Sequence, residues 1–164
     1  MKVNFSVCLL LVVLFLTTNT ILAQDFDYDR YKPRTLAELI DLNNVKLEAG
    51  AKKQFVISGD WFHSQVRLKY VGTSRLLSAE RKELLNNWQK SFNIKPETAN
   101  LFEKEFLFKE CEKEYWLPVQ KQVASYFPKE LKEGEMITLY LFFGGGVKTN
   151  EKADYLFLVN EFVK

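Results

Sequence analysis

The feature that most limits the fold of this 164-residue chain is a pair of apolar segments near its C-terminus. Residues 136–143 read MITLYLFF and residues 155–163 read YLFLVNEFV. Both are rich in β-branched and aromatic residues and contain no proline, which is typical of β-strands. Because both are almost apolar on both sides, we predict two central antiparallel strands covered by helices or another layer. The glycines at 144–146 are expected to form a mobile loop between these strands.

Alternation earlier in the chain predicts further strands. In DWFHSQVRLKYVG (60–72) apolar residues alternate with polar ones, which is the pattern of a half-exposed strand. The preceding run KKQFVISG (52–59) is also strand-like, and Gly59 with Asp60 suits a turn, so we expect these two runs to pair as a hairpin. Another strand is predicted at 104–110, where helical spacing is the competing interpretation.

Capping residues and apolar spacing predict the longer helices. Thr35 and Glu38 form a capping-box pattern at the start of a short helix near 36–42. Ser78 is a candidate N-cap for a helix over 79–92, where four apolar residues at helical spacing would form one buried stripe.

Two prolines predict shorter helices, which completes an α+β pattern. Pro96 can open one short helix, and Pro118 can occupy the first position of another. Paired strands with intervening helices predict a single α+β domain over 35–164, with a mainly antiparallel sheet and two to four helices packed on it. Residues 24–34 mix acidic and aromatic side chains without periodicity, and we expect a flexible N-terminal arm there.

The first 23 residues have the layout of a secretory signal peptide. Lys2 precedes an apolar run at 7–16, polar residues follow, and Ala23 is small enough for a cleavage position. The apolar run is shorter than the roughly 20 residues that span a bilayer. We therefore predict cleavage between Ala23 and Gln24 and a secreted or periplasmic protein without a membrane span after cleavage. An uncleaved anchor is the alternative.

Charge and cysteine content narrow the classes of partner. Loss of the signal peptide lowers the formal net charge from +2 to +1, because that segment holds one lysine and no acidic residue. This balance gives no argument for nucleic acid or for a membrane surface. Cys111 would be the only cysteine left, so no internal disulfide is expected. Its glutamate neighbours should raise its thiol pKa, which argues against a reactive thiolate.

The FGGGVKT stretch resembles a phosphate-binding loop only superficially. A P-loop has the spacing G-x-x-x-x-G-K-[ST], but Val147 precedes Lys148, and Phe142 occupies the position of the first glycine. The residues after Thr149 are also too few for a helix before the next predicted strand. We predict a hairpin loop and no nucleotide or other cofactor.

His63 is the only histidine of the chain, which excludes a multi-histidine metal site. The alternation places it on the polar side of its strand, with Asp60 in the adjacent turn able to orient it. The pair His63 and Asp60 is therefore a candidate for catalysis, and the alternative is a solvated histidine on an exposed strand face.

Five glutamates could suggest a hard cation, but lysines interleave with them and no calcium-loop pattern occurs. We therefore predict a solvated mixed-charge edge and no metal site. The glutamates are Glu103, Glu105, Glu110, Glu112 and Glu114.

Five basic residues form the most informative polar group. Two lie on one strand face, one follows in the loop and two open the next predicted helix, so they could gather into a patch for an anionic ligand. They are Arg67, Lys69, Arg75, Arg81 and Lys82. The alternative is that they only keep the surface soluble.

Three functions remain open from the sequence. We favour a non-catalytic exported domain that binds an anionic ligand, a cell-envelope polymer or a protein partner. A small hydrolase using His63 with a nearby carboxylate is the second hypothesis. The third is a structural or assembly subunit with Trp116 at a subunit contact.

Overall fold

The structure is a computed structural model and describes residues 26–164, so the predicted signal peptide and its cleavage position lie outside the described residues. Seven strands form one mixed sheet in the order β1-β3-β4-β5-β7-β6-β2. The strands are β1 Lys32–Pro33, β2 Lys53–Val56, β3 Ser64–Leu76, β4 Phe102–Glu110, β5 Lys113–Gln120, β6 Met136–Thr149 and β7 Ala153–Val163. The helices are α1 Leu36–Leu42, α2 Ala79–Ser91, α3 Pro96–Ala99, α4 Lys121–Ala124 and α5 Phe127–Glu130, after a 3-10 turn at Tyr28–Arg30.

Five of these strands close into a barrel because β3 has two partners. Its first half pairs with β6 and its second half with β4, and both pairings are antiparallel. The register shifts between Tyr70 and Ser74, and Gly72 at φ +81° provides the backbone conformation of a bulge that lets this long strand bend. The ring β3-β4-β5-β7-β6, with β5 parallel to β7, has the strand order of an OB-fold barrel.

The barrel interior is apolar, and a helix lies at each of its two ends. Leu36 and Leu39 of α1 are fully buried in this core, where β4 ends and β7 begins. At the other end Phe127 of α5 is fully buried, with its ring centroid 4.9 Å from that of Phe106 and 5.1 Å from that of Phe162. Burial of such large side chains is the main stabilising contribution.

A second apolar cluster lies outside the barrel, where α2 covers β6 and β7. Leu84, Leu85 and Trp88 of α2 pack against Phe142, Leu156 and Leu158. The neighbouring residues of β6 and β7 point into the barrel, so both faces of both strands are buried. This confirms the prediction of a central antiparallel pair covered by helices, and with it the α+β class.

Several local predictions are also confirmed. Thr35 and Glu38 form the reciprocal capping box of α1, and the Ser78 hydroxyl accepts a hydrogen bond from the backbone N–H of Arg81 at the start of α2. The 104–110 segment is a strand, as part of β4. A short helix also begins at Pro96.

The predicted glycine loop is wrong. The two strands are joined by the turn at 150–152, whereas the glycines at 144–146 lie within β6 and are buried. A Cβ at Gly144 would lie 2.9 Å from Leu158 Cδ1, and a Cβ at Gly146 would lie 2.7 Å from Tyr155 Cδ1. Close approach of β7 therefore requires glycine at both positions.

The predicted hairpin of residues 52–72 is also wrong. Both β2 and β3 run antiparallel to β6 and occupy successive parts of the same edge, with Phe55 opposite Val147 and Ser64 opposite Leu141. The chain makes an excursion at 57–63 without reversing its direction. The alternation of apolar and polar residues identifies β3 as a strand, but this pattern does not indicate which strand pairs with β3.

The predicted helix starting at Pro118 is wrong as well, because Pro118 lies inside β5 and only the short helices α4 and α5 follow. A proline is tolerated in a strand where no backbone N–H is needed for a hydrogen bond to the neighbouring strand. One side of β5 pairs with β7 through Val119 and Val159 alone, so most of that side requires no such donor.

The first described residues are docked on the sheet. β1 pairs in parallel with the start of β3, and Tyr31 is buried with its hydroxyl accepting a 3.1 Å hydrogen bond from Asn160 Nδ2. The ring of Phe26 stacks on that of Tyr31 at 5.0 Å. Within residues 26–164, no helix has the length and apolar character needed to cross a membrane.

Candidate functional site

The candidate site is a cleft between the parallel strands β5 and β7. These strands are in register only at Val119 and Val159, and toward α1 a cavity of about 260 Å³ opens between them. We call it the β5–β7 cleft. Its lining includes Tyr115 and Trp116 of β5, Asp154, Tyr155 and Phe157 of β7, and Arg81 of α2.

Arg81 links the helix on the outside of the barrel to two strands. The Ser78 cap fixes the first turn of α2 and so directs the Arg81 side chain, which is only 12% exposed. Its Nη2 donates a 2.8 Å hydrogen bond to Asp154 Oδ1. Its Nε lies 3.2 Å from Glu105 Oε2, close enough for an ion pair but without hydrogen-bond geometry. Arg81 thus bridges carboxylates of β7 and β4.

Glu105 joins Arg81 to a second arginine. Its side chain is 0% exposed, and its Oε1 accepts a 2.5 Å hydrogen bond from Arg75 Nε. The Arg75 guanidinium carbon in turn lies 3.9 Å from the centroid of the Trp116 ring, a cation–π contact that holds this ring in place. Two guanidinium groups and two carboxylates therefore form a network without net charge, and a buried carboxylate requires such compensation.

Two polar groups of the cleft lining lack partners. The buried Nη1 of Arg81 and the buried hydroxyl of Tyr155 form no hydrogen bond with any described residue. Burial raises the pKa of Tyr155, and the charge of Asp41 raises it further, so the phenol remains protonated at neutral pH. Buried polar groups are almost always hydrogen-bonded. Both residues line the β5–β7 cleft, which makes this cleft the candidate place for an interaction beyond the folded chain itself.

The five basic residues predicted as an anion patch do not all come together. Only Arg75 and Arg81 share a contact, and Glu105 with Asp154 neutralises both. The others are Arg67 and Lys69, exposed on β3 opposite Thr138 and Met136, and Lys82, which lines a separate groove with Asn86, Asn100 and Lys121. They are dispersed because β3 pairs with β4 and β6, while α2 packs on β6 and β7.

His63 lies among aromatic rings. Its ring centroid is 5.1 Å from that of Tyr31, 6.0 Å from that of Trp61 and 5.8 Å from that of Phe142. Burial lowers the pKa of His63, and Arg30 lowers it further, against a smaller opposite effect of Asp60.

Asp60 is engaged in the local turn. Its Oδ1 accepts a 2.7 Å hydrogen bond from the Phe62 backbone N–H. The hydrogen bonds formed within residues 26–164 include none between the His63 ring and a carboxylate or hydroxyl. The structure therefore does not assemble an acid–base pair from His63 and Asp60.

Four of the five clustered glutamates have separate structural contacts, with Glu103 paired to Lys121, and Glu112 is exposed. Glu105 is buried in the arginine network, Glu110 accepts hydrogen bonds from the first backbone N–H groups of α1, and Glu114 pairs with Lys109 at 2.9 Å. No group of three or more potential metal ligands is present in the part of the chain that the structure describes. Cys111 is exposed in the turn between β4 and β5.

Sequence reasoning misses three residues of the site, Glu105 of the arginine network and Asp154 and Tyr155 of the cleft. The residue pattern groups Glu105 with solvated acids, and it assigns Asp154 and Tyr155 only to a strand and its boundary. Only one feature of the sequence indicates that Glu105 is buried. Glu105 lies on one face of its strand and Phe106 and Phe108 lie on the other, in a segment too apolar to have a fully exposed face.

Comparisons with known proteins identify no relative of this chain. No protein-family model matches the chain, and no curated protein or solved structure matches it at a significant level.

Proposed function

We propose that this chain is a non-catalytic binding domain, exported to the cell envelope or the extracellular space, that holds a small polar ligand in the β5–β7 cleft. The observation that carries the proposal is the pair of unpartnered polar groups in that cleft, Arg81 Nη1 and the Tyr155 hydroxyl. The signal-peptide pattern supports the exported location. The strand order does not identify a ligand, because one barrel connectivity can carry many functions.

The dimensions of the cleft limit the ligand. A volume of about 260 Å³ lies just below the roughly 300–1,000 Å³ of pockets that hold drug-sized molecules. At about 30 Å³ per water molecule, the same space corresponds to roughly nine waters. The cleft therefore suits a small molecule or one unit of a larger polymer.

The lining supports binding rather than catalysis. It contains no histidine, cysteine or serine, and its arginine cannot act as a base at any physiological pH. Both carboxylates of the lining are held by basic side chains, Asp154 by Arg81 and Glu114 by Lys109. Pre-positioned donors beside aromatic walls are what an orienting binding site requires.

Protein-observed NMR tests this function even though the ligand is unidentified. Panels of monosaccharides, amino acids, dicarboxylates and nucleosides would be added at millimolar concentration while ¹H–¹⁵N spectra are recorded. We expect at least one class to shift the Trp116 indole N–H and the Asp154 amide in a saturable manner. The indoles of Trp61 and Trp88, which lie in the other apolar cluster, are internal controls. If no class produces a saturable shift at Trp116, the proposed function is wrong.

A further inference from the structure

We infer that the β5–β7 cleft takes a neutral polyhydroxylated ligand, a single saccharide unit, in preference to a carboxylate or phosphate. This inference rests on the proposed function and specifies its ligand class. It comes from the charge balance of the cleft, from its donors and acceptors, and from the placement of its aromatic rings.

The charge balance disfavours an anion. Arg81 is the cation of the lining, and it already contacts Glu105 and Asp154. Glu114 adds a further carboxylate at the edge of the cleft, with Lys109 as its partner outside. An entering carboxylate or phosphate would meet a compensated arginine and two nearby negative charges. At the low effective dielectric of a partly buried site, such like-charge contacts are unfavourable.

The hydrogen-bonding groups match hydroxyls. Arg81 Nη1 can only donate, the Tyr155 hydroxyl can donate and accept, and the Asp154 carboxylate retains lone pairs beyond the one that Arg81 Nη2 engages. A hydroxyl group both donates and accepts, so neighbouring hydroxyls of one ring can satisfy this mixed set. An ionised carboxylate or phosphate offers acceptors and would leave the remaining lone pairs of Asp154 without a donor.

The aromatic residues supply the complementary apolar surface. Tyr115, Trp116 and Phe157 line the cleft beside the polar groups, and a sugar ring has apolar C–H faces and a polar rim. Arg75 covers one face of the Trp116 ring and so restricts its movement before a ligand arrives. A pre-organised ring loses little conformational entropy on binding.

The test compares sugars of matched shape and different charge. Dissociation constants would be measured by titration of the Trp116 indole signal with glucose, galactose and mannose and with the corresponding uronic acids. We expect a neutral hexose to bind at least about tenfold more tightly than its uronic acid, which corresponds to about 1.4 kcal/mol.

Two variants complete the experiment. Tyr155→Phe, which removes one donor and acceptor from the cleft, should weaken binding of the neutral sugar at least about fivefold. Tyr126→Phe is the matched control, because Tyr126 is exposed on the connection between α4 and α5, and it should bind as the wild type does.

The outcomes separate the two proposals. Equal or tighter binding of the uronic acid, saturable binding of a non-sugar class alone, or unchanged sugar binding by Tyr155→Phe would refute the saccharide inference but leave the binding function standing. Absence of any saturable shift at Trp116 would refute both.

Discussion

Replacing Tyr155 by phenylalanine removes a single oxygen atom from the β5–β7 cleft. The residue is 8% exposed, and its hydroxyl has no hydrogen-bond partner among the described residues. The apolar contacts of the ring, with Phe143 and Phe157 at centroid distances of 6.3 Å, remain in the variant. A buried unsatisfied polar group costs about 1–3 kcal/mol of stability. Because the ring contacts are kept and only this unpartnered oxygen is lost, we expect the variant to be more stable by about 1 kcal/mol.

Urea unfolding of the wild type and Tyr155→Phe measures this difference, with the m-value unchanged and the midpoint raised. For a domain of this size, the same gain would raise Tm by about 3–5 °C. Tyr31→Phe is the opposite control, because the Tyr31 hydroxyl accepts a hydrogen bond from Asn160, and its loss should cost about 1 kcal/mol. Destabilisation of both variants by similar amounts would refute the reasoning, because it would show that the Tyr155 hydroxyl is hydrogen-bonded in the folded protein.

Three further predictions concern the network, the glycines and the histidine. Glu105→Ala should lower the free energy of unfolding by about 3–5 kcal/mol because it removes the partner of two arginines, whereas Glu151→Ala in the exposed turn should change it by less than about 0.5 kcal/mol in a urea titration. Gly146→Ala should cost about 1–3 kcal/mol through contact with Tyr155, while Gly59→Ala, with open space around its Cβ, should be close to neutral; equal effects would contradict the close-approach explanation. The folded-state pKa of His63 is below its ordinary value of 6.5, so the unfolded chain binds more protons there and stability should fall as the pH decreases through about 6.5. His63→Gln should make the urea midpoint less dependent on pH between about pH 7.5 and pH 5.5. An unchanged pH dependence of the midpoint would show that His63 is not its source.

The sequence predicts elements better than partners. The capping box at Thr35 and Glu38, the apolar stripe of α2 and the two-sided apolar strands β6 and β7 are local patterns, and each lies where the pattern places it. Strand pairing is not local. The alternation in β3 specifies which side chains are buried, but not that one half of the strand pairs with β6 and the other half with β4.

The candidate site is harder to predict for the same reason. Arg75 and Arg81 are recognisable as basic residues in the correct region, but their role depends on Glu105 and Asp154, which approach them only in the folded barrel. Without those carboxylates the two arginines suggest a site for anions. The completed network is electrically balanced, and the cleft beside it is defined by the separation of β5 from β7, which no residue pattern indicates.

The most direct test of the account is the ligand dependence of the stability difference between the wild type and Tyr155→Phe. Free energies of unfolding would be measured for both proteins across increasing concentrations of the sugar that most strongly shifts the Trp116 indole signal. A ligand that binds only the folded state stabilises it more when its affinity is higher. We predict that the variant is the more stable protein without ligand, and that this advantage shrinks and then reverses as the sugar concentration rises. Equal stabilisation of both proteins at every concentration would contradict the claim that the Tyr155 hydroxyl serves a ligand in the β5–β7 cleft.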